Sequence, residues 1–102
     1  MHTLNALLAT ALLAAVAGAA QARDLGPDEA LRLRDAGTIQ PFEHLNAAAL
    51  ARHAGGKVGE TELEQEGGRY VYQVELRDAQ GVRWEVELDA ASGQILHDRQ
   101  DH

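Results

Sequence analysis

Residues 69–89, RYVYQVELRDAQGVRWEVELD, contain the clearest structural signal in the sequence. Two runs within this stretch alternate apolar and polar side chains, which is typical of β-strands with one buried face. The apolar positions are Tyr70, Tyr72, Val74 and Leu76 in the first run and Val82, Trp84, Val86 and Leu88 in the second. Between the runs, residues 78–81 (Asp-Ala-Gln-Gly) suit a type I turn with Gly81 in the left-handed conformation. The stretch therefore predicts a β-hairpin.

The turn and the alternating pattern select the same register for this hairpin. If Asp78 faces Val82, three apolar pairs come opposite one another. These pairs are Leu76 with Trp84, Val74 with Val86, and Tyr72 with Leu88. Every apolar side chain then lies on one side of the hairpin, and a slip of one residue would move them all to the other side.

Two further strands are predicted on either side of the hairpin in sequence. Residues 57–66 precede it and residues 94–97 follow it, each joined to it by a turn that contains glycine. In the earlier strand, Val58 and Leu63 are out of phase, and a β-bulge at Gly59 would bring both to one face. A four-stranded antiparallel meander is the simplest arrangement of these elements.

Two helices are predicted before the strands. Pro27 can open the first helix, where its missing N–H costs nothing, and Gly37 can end it. Pro41 opens the second, which runs to about Ala54 with apolar residues at helical spacing. The predicted fold class is α+β, with N-terminal helices followed by the meander packed on one helix.

One face of the sheet is expected to pack on the second helix and the other to face water. The predicted structural core consists of Phe42, Leu45, Tyr70, Tyr72, Val74, Leu76, Trp84, Val86 and Leu88. A core of this size contributes about 3–5 kcal/mol of net stability.

The first residues differ in composition from the rest of the chain. No charged side chain occurs in residues 4–22, residues 7–17 are uniformly apolar apart from Thr10, and Ala20 and Ala22 form a small-x-small pattern. This pattern predicts a signal peptide over residues 1–22, cleaved before Arg23, and therefore a periplasmic or secreted protein. The segment before the apolar run lacks lysine and arginine, and an uncleaved membrane anchor is the alternative. After cleavage, no stable membrane insertion is expected.

The predicted mature domain, residues 23–102 with a core at about 41–98, contains every charged residue of the chain. These are 16 acidic and 9 basic residues, which give a net charge of −7. Nucleic acid is therefore not expected as a partner, because like charges repel. The chain has no cysteine, which excludes disulfides, thiolate–metal sites and a thiol nucleophile.

The segment from about residue 47 to 98 resembles the PepSY domain family. The matching motifs are AGGKV (54–58), GRYVYQVE (68–75), GVRWEV (81–86) and LDAASGQIL (88–96). The resemblance implies a non-enzymatic binding or regulatory module that inhibits or modulates a peptidase or an envelope sensor protein. No peptidase is attached to this chain, so a propeptide role in cis is not expected.

Acidic residues recur on the predicted open face of the sheet. The candidate interaction face consists of Glu60, Glu62, Glu64, Glu75, Glu85 and Glu87. The functional interpretation is a docking surface for a basic segment of an envelope protein or peptide. The alternative is a solvated face that only discourages edge-to-edge pairing of sheets.

No catalytic, cofactor or metal residue is assigned from the sequence. His44 and His53 lie nine apart on the predicted second helix, which is not the i, i+4 spacing of zinc peptidases. Residues 97–102 are interpreted as a frayed polar tail. The alternative function is a metal or cationic-ligand binder of the envelope that uses the carboxylates and the terminal histidines, and a hydrolytic enzyme is a third hypothesis.

Overall fold

A computed structural model describes residues 22–102, and the predicted signal peptide falls almost entirely outside this range. The elements are β1 (Arg23–Asp24), α1 (Pro27–Asp35), α2 (Phe42–Leu50), β2 (Lys57–Glu66), β3 (Arg69–Arg77), β4 (Arg83–Asp89) and β5 (Ile95–Gln100). The strands form one antiparallel sheet in the order β1-β2-β3-β4-β5. The α+β class and the meander are confirmed, whereas the predicted count of four strands was wrong by one.

The central hairpin has the predicted register. The facing pairs of β3 and β4 include Tyr72 with Leu88, Val74 with Val86, and Leu76 with Trp84. At the turn, the N–H of Asp78 donates to the carbonyl of Val82 at 2.8 Å. The carboxylate of Asp78 accepts from the N–H groups of Gln80 and Val82 at 2.9 Å each. Gly81 has φ +83°, a conformation that L side chains rarely adopt.

Strand β1 was missed because two residues are too short to show an alternating pattern. Arg23 and Asp24 pair with the C-terminal part of β2. The N–H of Leu25 then donates to the carbonyl of Leu63 at 2.8 Å, and the Leu25 side chain is buried in the core. Burial of this side chain holds the short strand against the sheet.

Helix α2 ends at Leu50, several residues before the predicted end at Ala54. Beyond it, the N–H of His53 donates to the carbonyl of Leu50, three residues back, at 3.0 Å. Such bonds tighten the last turn, and Gly55, at φ +81°, then reverses the chain. The prediction that His44 and His53 share a helix was therefore wrong.

The core lies between α2 and the sheet, where α2 contacts β2, β3 and β4. Phe42 stacks on Tyr72 with ring centroids 5.9 Å apart, and the Tyr72 hydroxyl donates to Asn46 Oδ1 at 2.9 Å. Of the predicted core residues, the buried ones are Leu45, Tyr72, Val74, Leu76, Val86 and Leu88. The others, packed against these and partly buried, are Phe42, Tyr70 and Trp84.

The opposite, outer face of the sheet is less uniformly exposed to solvent than predicted. Val71 lies on this face but is only 4% exposed. It borders a hollow that is also lined by Leu96, Arg69, Glu87 and His97. The long side chains of Arg69 and Glu87 line the same hollow, and aliphatic parts of such side chains can cover apolar surface while their charged ends reach water.

The prediction of a frayed tail over residues 97–102 was wrong. Strand β5 extends through Gln100, and the N–H of Asp101 donates to the carbonyl of Arg83 at 2.9 Å. Pairing with β4 satisfies the backbone groups that a frayed tail would leave to water. Among the described residues, no helix is long and apolar enough to cross a membrane.

Candidate functional site

Most of the acidic side chains that the sequence indicated lie close together on the outer face of β2, β3 and β4. A hollow of about 100 Å³ is lined by Glu60, Glu62, Gln73, Glu75 and Glu85. Glu75 and Glu85 lie directly opposite each other on β3 and β4. Like charges in facing positions repel, so the folded sheet holds these carboxylates at a cost in stability.

Nearby arginines offset part of this repulsion. Arg83 lies 3.8 Å from Glu75, and Arg99 of β5 lies 3.2 Å from Glu85 and 3.8 Å from Glu87. These pairs are solvent-exposed on the arginine side and therefore contribute little. Because these ion pairs are weak, a cationic partner can replace the arginines at the carboxylates.

Glu87 and Glu64 lie outside the hollow. Glu87 accepts a hydrogen bond from Gln73 Nε2 at 3.0 Å. Glu64 groups instead with Asp24 and Glu62, and carboxylate oxygens of these three lie within 4.8 Å of one another. Burial raises the pKa of Glu64, and the charges of Asp24 and Glu62 raise it further.

This three-carboxylate group bears on the alternative function of cation binding. The described group contains none of the histidines that the alternative invoked, and Asp24 and Glu62 are exposed. Carboxylate oxygens suit hard cations such as Ca²⁺ better than Cu²⁺ or Zn²⁺. Sequence reasoning missed Asp24 because nothing in the pattern placed a strand at residues 23–24.

A second polar cluster, which we call the His53 clasp, joins the loop after α2 to strand β5. Nε2 of His53 lies 2.8 Å from Oδ1 of Asp98, and Nε of Arg52 lies 3.1 Å from Oδ2 of the same carboxylate. The imidazole stacks on the Trp84 ring at 4.3 Å between centroids, and Trp84 Nε1–H donates to Asp78 Oδ2 at 2.9 Å. The clasp ties three separate parts of the chain together.

The carboxylates of the clasp and the turns are held in the ionised form. Burial disfavours the charge of Asp98, but hydrogen bonds from His53 and Arg52 outweigh it and lower the pKa of this carboxyl. The hydrogen bond from Trp84, followed by that from Val82, lowers the pKa of Asp78. Because ionised Asp98 can only accept, His53 Nε2 carries the proton between them.

The sequence indicates the clasp only when the pairing of β5 with β4 is known, because that pairing shows on which face of the sheet Asp98 lies. Asp98 lies opposite Val86 and so falls on the core side of the sheet. An acid at an inward position requires a partner, since burial of a charge without one is costly. The partner, His53, is 45 residues away in the chain.

Comparison with known proteins identifies the family. The model of the PepSY family, described as "Peptidase propeptide and YPEB domain", matches residues 40–99, and the chain belongs to this family. The chain is also similar to the uncharacterized protein YkoJ of Bacillus subtilis (strain 168), with 36% identity over 45 residues. The match covers 44% of this chain and only 26% of YkoJ. No solved structure matches the chain.

Proposed function

We propose that this chain is an exported, non-enzymatic binding or regulatory module of the cell envelope, whose outer sheet face docks on a basic region of another protein or peptide. A peptidase is the first class of partner to consider, because the family description names peptidase propeptides. The observation that carries the proposal is the acidic hollow of Glu60, Glu62, Glu75 and Glu85 on the uncovered face of the sheet.

Electrostatics favours a basic partner at this face. Glu75 and Glu85 repel each other in the isolated domain, and a lysine or arginine placed between them would remove that repulsion. The net charge of −7 also steers cationic surfaces toward the domain, an effect that salt weakens. Binding at the face should therefore be strongest at low ionic strength.

No catalytic role is assigned to the three carboxylates whose pKa is lowered. The carboxylates of Asp78 and Asp89 accept hydrogen bonds from N–H groups of turns, and the carboxylate of Asp98 accepts hydrogen bonds within the His53 clasp. A general acid or base needs a group that can exchange its proton with a substrate. The hydrogen bonds that these carboxylates accept lower the pKa of each, which makes them weak general bases and removes them as general acids at neutral pH.

Capture from an envelope extract tests the proposal with three forms of the protein. The first is the natural protein, and the second carries Glu62→Gln, Glu75→Gln and Glu85→Gln on the outer face. The third, a matched control, carries Asp28→Asn, Asp35→Asn and Glu43→Gln, which remove the same charge from exposed positions on the helices.

We expect a partner held by the natural protein and the control, released by salt, and lost from the face variant. Each captured peptidase is then assayed with and without added protein. Equal capture by all three forms would refute the outer face as the docking surface. Recovery of no specific partner would refute the binding module itself.

A further inference from the structure

Strand β2 has one edge that the described chain covers only in part. β1 pairs with β2 opposite Glu64 and Gln65, and the bond from Leu25 to Leu63 adds one more contact. Within residues 22–102, no strand pairs with the remainder of this edge, from Lys57 to Glu62. An edge of this kind presents backbone donors and acceptors to any extended segment that approaches it.

The chain leaves this edge for a specific reason. After Leu25 the next residues are Gly26 and Pro27, and Pro27 opens helix α1. Proline has no N–H to donate to a ladder, so β1 cannot continue along β2. The carbonyl of Leu63 points to this edge, where it accepts from Leu25. In a β-strand the N–H and C=O groups of every second residue point to the same edge, so those of Thr61 also point to this edge.

A groove of about 610 Å³ lies on the core side of this edge. Its apolar walls are Leu25, Pro27, Ala30, Phe42, Leu63 and Tyr72. Asp24, Asn46, Thr61 and Glu62 complete the lining. Thr61 thus belongs both to the open edge and to the groove, so a strand added at the edge would point alternate side chains into apolar surroundings.

The other side of the same edge is acidic. Glu60 and Glu62 of β2 both line the hollow of the outer face. In an added strand, the side chains that do not enter the groove would lie beside these carboxylates. The edge therefore favours a strand whose residues alternate between apolar and basic.

A second copy of this chain does not fit the edge. Two molecules paired edge to edge would place Glu60 and Glu62 of one beside the same residues of the other, and each carries a net charge of −7. Like charges in neighbouring strands oppose such pairing. The same carboxylates favour a cationic occupant.

The geometry points to docking by strand addition, in which an extended partner segment of alternating apolar and basic residues pairs with β2 at Thr61 and fills the adjacent groove. This inference rests on the proposed function and specifies the part of the partner that is bound. The affinity comes from main-chain hydrogen bonds, and the specificity comes from the two differently lined sides of the edge.

Model peptides test the inference without a known partner. The probe is a fluorescein-labelled peptide of alternating lysine and valine, and its binding to the protein is measured by fluorescence anisotropy. The protein is purified from cells that export it, and mass spectrometry determines the N-terminus of the purified protein. One control peptide has the same residues in two blocks, and a second alternates glutamate and valine. Two further controls are the probe with N-methyl groups on one set of alternate amides or on the other set, so that each form lacks the donors of one edge.

We expect the alternating lysine–valine peptide to bind about tenfold or more tightly than the block peptide, the glutamate–valine peptide and at least one of the two N-methylated forms. Thr61→Pro should weaken binding about tenfold, because proline removes an N–H that faces the partner and not β3. Thr61→Val keeps that N–H and should bind more tightly than Thr61→Pro, which separates loss of the N–H from loss of the threonine side chain. If the proline variant fails to fold, the N-methylated peptides decide, since they leave the protein unchanged.

Equal binding of the alternating and block peptides, or full binding of both N-methylated forms, would refute strand addition. The envelope capture separates this inference from the proposed function. A partner that the outer-face variant loses but Thr61→Pro retains supports the proposed function and refutes docking at the edge. Absence of any partner refutes the proposed function, whereas the peptide-binding assay still tests strand addition at the edge of β2.

Discussion

The two faces of the sheet differ in what their facing residues do for each other. On the inner face, Val74 and Val86 are fully buried and pack under α2. On the outer face, one residue along each strand, Glu75 and Glu85 face each other as like charges. The inner face therefore supplies stability, whereas the charged surface of the outer face reduces it.

The largest expected effect comes from the inner face. Leu88→Ala removes a side chain with no solvent exposure, so we expect a loss of about 2–5 kcal/mol in the free energy of unfolding. Leu31→Ala is the matched control, because Leu31 is 41% exposed and its loss should cost less than about 0.5 kcal/mol. Urea denaturation followed by Trp84 fluorescence measures both, and similar losses would contradict the assignment of the core.

The His53 clasp should give the next largest effect. His53→Ala leaves Asp98 without its closest hydrogen bond, and we expect a loss of about 1–3 kcal/mol. A double-mutant cycle with Asp98→Ala measures the coupling between the two residues. Additive losses would show that the 2.8 Å contact contributes nothing of its own.

The clasp also predicts a pH dependence. The pKa of Asp98 is lowered from 3.8, so its stabilising contribution is fully present above that value and is lost as the pH falls through the folded-state pKa. Asp98→Asn should therefore lower stability at neutral pH and flatten the stability profile below 3.8. Acid titration followed by circular dichroism checks the profile, and an unchanged slope would contradict the assignment.

On the outer face, a substitution should stabilise the fold and weaken binding. Glu75→Lys would place a cation opposite Glu85 and beside Glu60 and Glu62, and should raise the free energy of unfolding by about 0.2–1 kcal/mol. The same variant should capture less of any basic partner. If stability falls while binding is unchanged, the contrast between the two faces is wrong.

The smallest effect concerns Glu64, whose pKa is raised from 4.5 by burial and by neighbouring acids. Stability is therefore lost as the pH rises from 4.5 through the folded-state pKa, because the ionised form is disfavoured in the fold. Glu64→Gln should stabilise the protein by about a few tenths of a kcal/mol at neutral pH and by nothing below 4.5. An equal gain at both pH values would point to a cause other than charge.

How far the sequence predicted the site depended on where each residue lies. Glu60, Glu62, Glu75 and Glu85 could be placed on one face because strand periodicity and the bulge at Gly59 were readable. The role of Asp24 could not be predicted, because its strand has only two residues. Contacts between segments far apart in the chain leave no periodic signal in either segment.

By itself, the sequence determined the hairpin, its register and the polarity of its two faces, because turn chemistry and a period of two act within a few residues. Three features are visible only in the folded chain: Arg23–Asp24 joins the sheet, His53 contacts Asp98, and β2 keeps an open edge beside a groove. These features depend on where packing brings distant segments together. Local propensity contains no information about that placement.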